Sequence, residues 1–161
     1  KEIKKANFII ISGADLIKGN LLKIIKNKAL NIHMGIAEKY RGLDSNLWAW
    51  YHHDYKNIGV TLHKLDRKLD TGKIFKSKYL RITKKTKIWS LRYLESILAV
   101  DLLNLALKDL NKKKLNLRKQ KQIGRYYSFM PAVIKNKIHQ NTTSVLIAYF
   151  SFFEYFLKVI L

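Results

Sequence analysis

Asn31 and His33 stand two residues apart in ALNIH, residues 29–33, and Asp70 follows a second apolar run, GVTLHKL, residues 59–65. Alternate residues of a strand face the same side, so a strand over 29–33 lets an amide and an imidazole address one substrate atom. A carboxylate from a neighbouring loop can orient that imidazole and raise its basicity. The same spacing also suits a hydrogen-bonded core histidine beside a strand-end asparagine, and spacing alone does not choose between the two.

The rest of the composition narrows the chemistry. The chain has no cysteine, which removes thiolate nucleophiles, disulfides and Cys-based metal sites and fits a reducing, cytoplasmic setting. His52, His53 and Asp54 are adjacent on an expected helix end, where neighbouring side chains diverge, so no metal is expected. With 161 residues and 48% hydrophobic content, one compact domain is the natural reading. Lys and Arg total 32 against 11 acidic residues, a net charge of +21, which attracts polyanions. Lysine far outnumbers arginine, and asparagine and isoleucine are abundant too. Compositional bias therefore accounts for the charge as well as a binding surface does, and nucleic acid is not the expected partner. The opening KEIKKANFIIIS reads as a strand rather than a secretory leader, and Lys1 in place of Met reads as a segment of a longer protein.

The elements that must carry these residues follow from periodicity. Residues 7–12 form a β-branched run closed by Gly13, 18–28 carry Leu21, Leu22, Ile24 and Ile25 at helical spacing, and 29–33 return to a strand. This βαβ unit predicts parallel strands with residues 13–16 and His33 at one carboxyl edge. Residues 34–42 read as irregular, 43–53 as a helix, 59–65 as a strand, 66–72 as a charged loop ending Asp-Thr-Gly, and 73–82 as a half-exposed antiparallel strand. Residues 86–110 predict a long helix capping the sheet, and 111–122 a basic, solvated connector. Residues 144–161 are mostly apolar and approach the length of a membrane span, about 20 residues. Glu154 and Lys158 argue against a free span and for a docked, interfacial or partner-binding helix, leaving membrane contact through this tail as a further reading. The expected organisation is a partial catalytic domain over 6–110, a connector with short peripheral elements over 111–143, and an apolar helix over 144–161.

LNIHMGIAEKYRG followed by GVTLHKLDRKLDTG resembles the active-site half of the folate-dependent formyltransferases. That resemblance implies a Rossmann-like α/β fold with a partial mixed sheet, the amino-terminal half missing, and flanking helices. It implies that Asn31 binds the formyl oxygen of 10-formyl-tetrahydrofolate and that a protonated His33 joins it as oxyanion donor. Asp70 then holds His33, raises its pKa and helps to relay the amine's proton. Gly13, Leu16 and Lys18 match a segment that binds the pterin, and Leu65, Asp66 and Leu69 a loop that covers it. Tyr40, Arg41, Gly42 and His63 are the expected substrate side, with Arg41 a candidate clamp for a diphosphate. His-x-Gly before Tyr-Arg-Gly is similar to a branch associated with surface-polysaccharide sugars, although Ala37 and Glu38 stand where that branch has Ser-Pro. The implied partner is a small amine, a nucleotide-linked amino sugar. The alternatives are a methionyl-tRNA formyltransferase-like enzyme, a non-catalytic basic binding protein and a truncated fragment. Nothing in the sequence fixes the oligomeric state.

Overall fold

The computed structural model describes residues 2–112 and 115–140. After a short helix α1 (Glu2–Lys5), strand β1 (Ile9–Ser12), helix α2 (Gly19–Ile25) and strand β2 (Ala29–His33) form the expected crossover unit. The two strands run parallel, with Ile9 level with Ala29 and Ser12 level with Ile32. After β3 (Tyr40–Gly42) and helix α3 (Ser45–Tyr51) come β4 (Gly59–Lys64) and β5 (Ile74–Tyr79). β4 pairs antiparallel with β2, and β5 antiparallel with β4, so the sheet order is β1-β2-β4-β5. The outer edge of β1 borders an apolar groove lined by Ile9, Ile11, Leu21 and Ile25.

Period-two alternation divides the central strands into a core face and a site face. Leu30 and Ile32 of β2 with Val60 and Leu62 of β4 pack on Ala99, Leu102 and Ala106 of helix α4 (Leu91–Asn111). Each such buried aliphatic side chain contributes about 1.5–3 kcal/mol. A slip of one residue would send these chains to the other face, so this core fixes the register and leaves Asn31, His33, Thr61 and His63 together opposite it. A second cluster joins Tyr40, Ala49, Ile58 and Leu91 to Met130 and Ile138, bringing helix α5 (Ala132–Gln140) against the α3 region.

Three readings change. The segment 34–42, expected to be irregular, contains β3, which pairs in parallel with β6 (Arg125–Tyr127). Residues 115–122 are not a solvated connector: Leu115 and Leu117 pack on the core, and Arg118 exchanges backbone hydrogen bonds of 2.8 and 2.9 Å with Ile74. Their lysine-rich surroundings hide this alternation, and the partner strand lies some forty residues earlier. The long helix begins at Leu91, preceded by a 3-10 turn at Ile88–Ser90. Residues 144–161 and their expected helix lie outside the described residues. Among the described residues no helix is long and apolar enough to cross a membrane.

Candidate active site

The β2–β4 register sets Asn31 opposite His63 and His33 opposite Thr61. Lys64 at the end of β4 lies beside Leu30, so the following loop leaves at the far end from His33 and must fold back over the site face. It returns Asp70, whose φ of 55° is left-handed, a conformation that Asp tolerates better than most residues. Two residues on, a Cβ at Gly72 would strike the Lys64 carbonyl, so only glycine allows this close return. The Asp70 carboxylate is 5% exposed. Its Oδ2 lies 3.4 Å from His33 Nδ1 and its Oδ1 3.3 Å from His63 Nε2, and Gly42 N–H donates to Oδ2 at 2.8 Å. The trio expected at a sheet edge therefore meets on the face of the sheet, with His63 as a fourth member. Asn31 enters through its Nδ2, 3.3 Å from His63 Nε2.

Burial decides the charge of His33. Desolvation lowers its pKa below the ordinary value, and the opposing pull of the Asp70 carboxylate and the Tyr40 carbonyl does not reverse it; His63 and Arg41 add to the lowering. The expectation of a raised pKa and a standing imidazolium is therefore corrected. His33 Nε2 donates to the Tyr40 carbonyl at 2.8 Å while Nδ1 faces Asp70, so the ring is one proton short of satisfying both acceptors. Burial pushes the Asp70 carboxyl up, but the His63 ring nitrogen, His33 and the Gly42 N–H together hold it below the usual range. A carboxylate beside a neutral imidazole with two acceptors is arranged to receive a proton.

The segment between His33 and α3 is pinned from several sides. Buried Thr61 donates to Gly35 O at 2.8 Å and accepts from Ala37 N–H at 3.1 Å. A Cβ on Gly35 would meet the His33 ring and Ser45. Glu38 is gripped by both terminal nitrogens of Arg118 at 2.8 Å. Gln120 Nε2 donates to the carbonyls of Asp70 and Gly72 at 2.7 and 3.0 Å. Sequence reasoning missed Thr61, Glu38, Arg118 and Gln120. Thr61 shares the site-face alternation with His63 and was findable by it, whereas the other three depend on contacts about 50–84 residues away in sequence.

The remaining expected residues surround this centre. Arg41 Nε donates to Gly124 O at 2.6 Å and a terminal nitrogen to Leu69 O at 2.8 Å, so it ties β3 to both neighbouring loops. Tyr40 is buried, with its hydroxyl donating to Asp54 at 3.2 Å. Gly42, at φ 93°, lies so close to Tyr127 that a side chain would collide with it. Gly13, at φ 65°, turns the chain out of β1 at the His33 end, and Leu16 and Lys18 are exposed beyond it. Leu65 and Leu69 are half-buried, and Asp66 is exposed and accepts from Arg67 N–H and the Thr71 hydroxyl. The two segments expected to contact folate thus approach the site face from opposite ends.

Similarity to known proteins falls on these same elements. A family model described as formyl transferase matches residues 2–93. The methionyl-tRNA formyltransferase of Finegoldia magna is 26% identical over 134 residues, covering 80% of this chain and 43% of the relative. The bifunctional polymyxin resistance protein ArnA of Wigglesworthia glossinidia brevipalpis is 31% identical over 101 residues, 63% of this chain and 15% of the relative. The chain therefore spans less than half the length of these relatives. Among solved structures, the formyltransferase PseJ from Anoxybacillus kamchatkensis, in complex with UDP-4,6-dideoxy-4-formamido-L-AltNAc and tetrahydrofolate, superposes with a TM-score of 0.70 at 24% identity, over 83% of this chain and 68% of that one. The matched residues include both site strands and the Asp70 loop, and the chain belongs to the formyl transferase family.

Proposed function

We propose that this chain is the catalytic part of an enzyme that transfers the formyl group of 10-formyl-tetrahydrofolate to the amine of a nucleotide-linked amino sugar. The observation that carries the reading is the convergence of Asn31, His33 and Asp70 on one sheet face inside the family match. The amine nitrogen attacks the formyl carbon, and negative charge collects on the formyl oxygen, where the Asn31 amide donates; loss of one such donor costs about 3 kcal/mol of barrier. Neutral His33 takes the proton that the amine must lose, Asp70 stabilises the imidazolium, and the proton passes to folate N10 as the carbon–nitrogen bond to folate breaks. Gly13, Leu16 and Lys18 with Leu65, Asp66 and Leu69 flank the folate side. Tyr40, Arg41, Gly42 and His63 shape the acceptor side, and no metal takes part.

The sugar acceptor is supported by the fold likeness to PseJ, whose solved complex contains a UDP-linked formamido sugar, and by His-Met-Gly before Tyr-Arg-Gly. A second reading, formylation of charged initiator tRNA, is favoured by the Finegoldia magna relative and by the charge of +21. Release of tetrahydrofolate is measured with a panel of amino-sugar nucleotides, initiator methionyl-tRNA and glycinamide ribonucleotide. Turnover is expected with a 4-amino sugar nucleotide. Turnover with tRNA alone would replace the acceptor and leave the chemistry of the trio standing.

A further inference from the structure

Resting on the formyl-transfer reading, we infer that Gln120 is a positioning residue: its side-chain amide, delivered by the segment after α4, fixes the backbone of Asp70 and with it the carboxylate that serves His33. That segment lies beyond residues 2–93, which the family model matches. Asp70 stands at φ 55°, a state that a residue with a Cβ keeps only where its surroundings hold it. Rotation about this bond swings the Asp70 carbonyl and side chain as one body, so a donor that holds the carbonyl also holds the carboxylate. Gln120 Nε2 is that donor, 2.7 Å from the Asp70 carbonyl and 3.0 Å from the Gly72 carbonyl. Asp70 and Gly72 are both buried, so solvent is poorly placed to take over. Both hydrogens of the amide are in use. Reversal of the amide would set its oxygen against two carbonyl oxygens, so this orientation stands although Oε1 is buried without a partner among the described residues.

Gln120 is itself held from both sides. Arg118 exchanges main-chain hydrogen bonds with Ile74 and grips the Glu38 carboxylate at 2.8 Å. Lys121 N–H donates to Glu38 Oε1, and the Gln122 amide donates to the Glu38 carbonyl at 2.8 Å. Glu38 belongs to the segment after His33, whose Tyr40 carbonyl accepts from His33 Nε2 and whose Gly42 N–H donates to Asp70. Residues 118–122 therefore form a brace with one end on the segment that follows His33 and the other on the turn that carries Asp70. Arg41 also grips this turn, but at the Leu69 carbonyl, which lies ahead of the Asp70 φ bond and does not fix it.

Two measurements on the full chain test this, and one needs no turnover. Gln120→Met keeps the length of the side chain and removes both donors. Nitrogen-15 spectra of the histidine rings follow the protonation of His33, which feels Asp70, His63 and Arg41; of these only the Asp70 carboxylate raises its pKa. Withdrawal of that carboxylate should move the His33 midpoint down by about one pH unit. A site merely loosened to water would move it up, towards the ordinary value, and an unmoved or raised midpoint overturns the proposal. In turnover assays Gln120→Met should lower kcat by about 10- to 100-fold, with KM for the amine within about threefold. In an Asp70→Asn background the same substitution should have no further effect. A penalty that persists there means that Gln120 serves the fold rather than the carboxylate, and the proposal fails. Should Gln120→Met not fold, Arg118→Leu releases the other end of the brace at a half-exposed side chain. The His33 midpoint should again fall, against the direct effect of removing a positive charge, and a rise or no change overturns the proposal. If the parent formylates no acceptor while the midpoint falls as expected, the reaction is misread and the brace is not.

Discussion

At the residue scale, one carboxylate serves two imidazoles, and the polarity of each contact matters more than proximity. Asp70 touches His33 through one oxygen and His63 through the other, so its removal disturbs both rings at once. Thr61 is the least conspicuous member of the site and among the most constrained, because its hydroxyl satisfies the Gly35 carbonyl and the Ala37 N–H simultaneously. Thr61→Val keeps the shape and strands both groups, at a cost of about 1–3 kcal/mol. Chemical denaturation is expected to register that loss, and kcat to fall with it, since Gly35 backs onto the His33 ring; an unchanged midpoint would contradict the pinning role. Asn31, His33 and Asp70 were legible in the sequence because their types and a family-like spacing coincide. The charge state of His33 was not, because it depends on burial, which no spacing reveals.

At the element scale, the two faces of β2 and β4 explain why the site is where it is. Leu30, Ile32, Val60 and Leu62 go under α4, and the alternation that buries them delivers the polar residues to the opposite face. That much is local patterning, so the strands and the long helix could be read directly. β3, β6 and the bridge at Arg118 could not, since three-residue strands and a single bridge carry no periodicity and exist only through distant partners. Helix α4 also brings Glu95, fully buried, against Asn46 of α3, whose amide donates to it at 2.6 Å. Burial raises the Glu95 carboxyl from 4.5 to about 8, against the opposing Asn46 hydrogen bond. Between those values the folded state holds a proton that the unfolded chain has released, so stability falls as pH rises, by up to about 1.4 kcal/mol per unit. Glu95→Gln removes this titration and keeps an acceptor for Asn46. Thermal melts should place the variant above the parent at pH 8, with the gap closing towards pH 5. Parallel curves would show that Glu95 does not titrate in that window.

At the scale of the whole molecule, the sheet is asymmetric. β5 is followed by the bridge to Arg118, whereas the outer side of β1 borders the apolar groove between β1 and α2. Ile10, on that edge strand, is 37% exposed, and an apolar edge invites pairing with another chain. Ile10→Lys is expected to reduce concentration-dependent association in light scattering without lowering the melting temperature; association unaffected by the change would clear this edge of responsibility. The full chemistry, however, turns on a handful of atoms at the other side of β2. The most direct test of the account is the rate of tetrahydrofolate release by His33→Ala, with the accepted amine saturating and the folate dissociation constant measured on the same protein. A loss of 100-fold or more in kcat, with folate affinity within about twofold, is the predicted result, since the imidazole acts on the proton of the transition state. An undiminished rate, or a loss of folate affinity as large as the loss in rate, would contradict the assignment of His33 as the group that takes the proton.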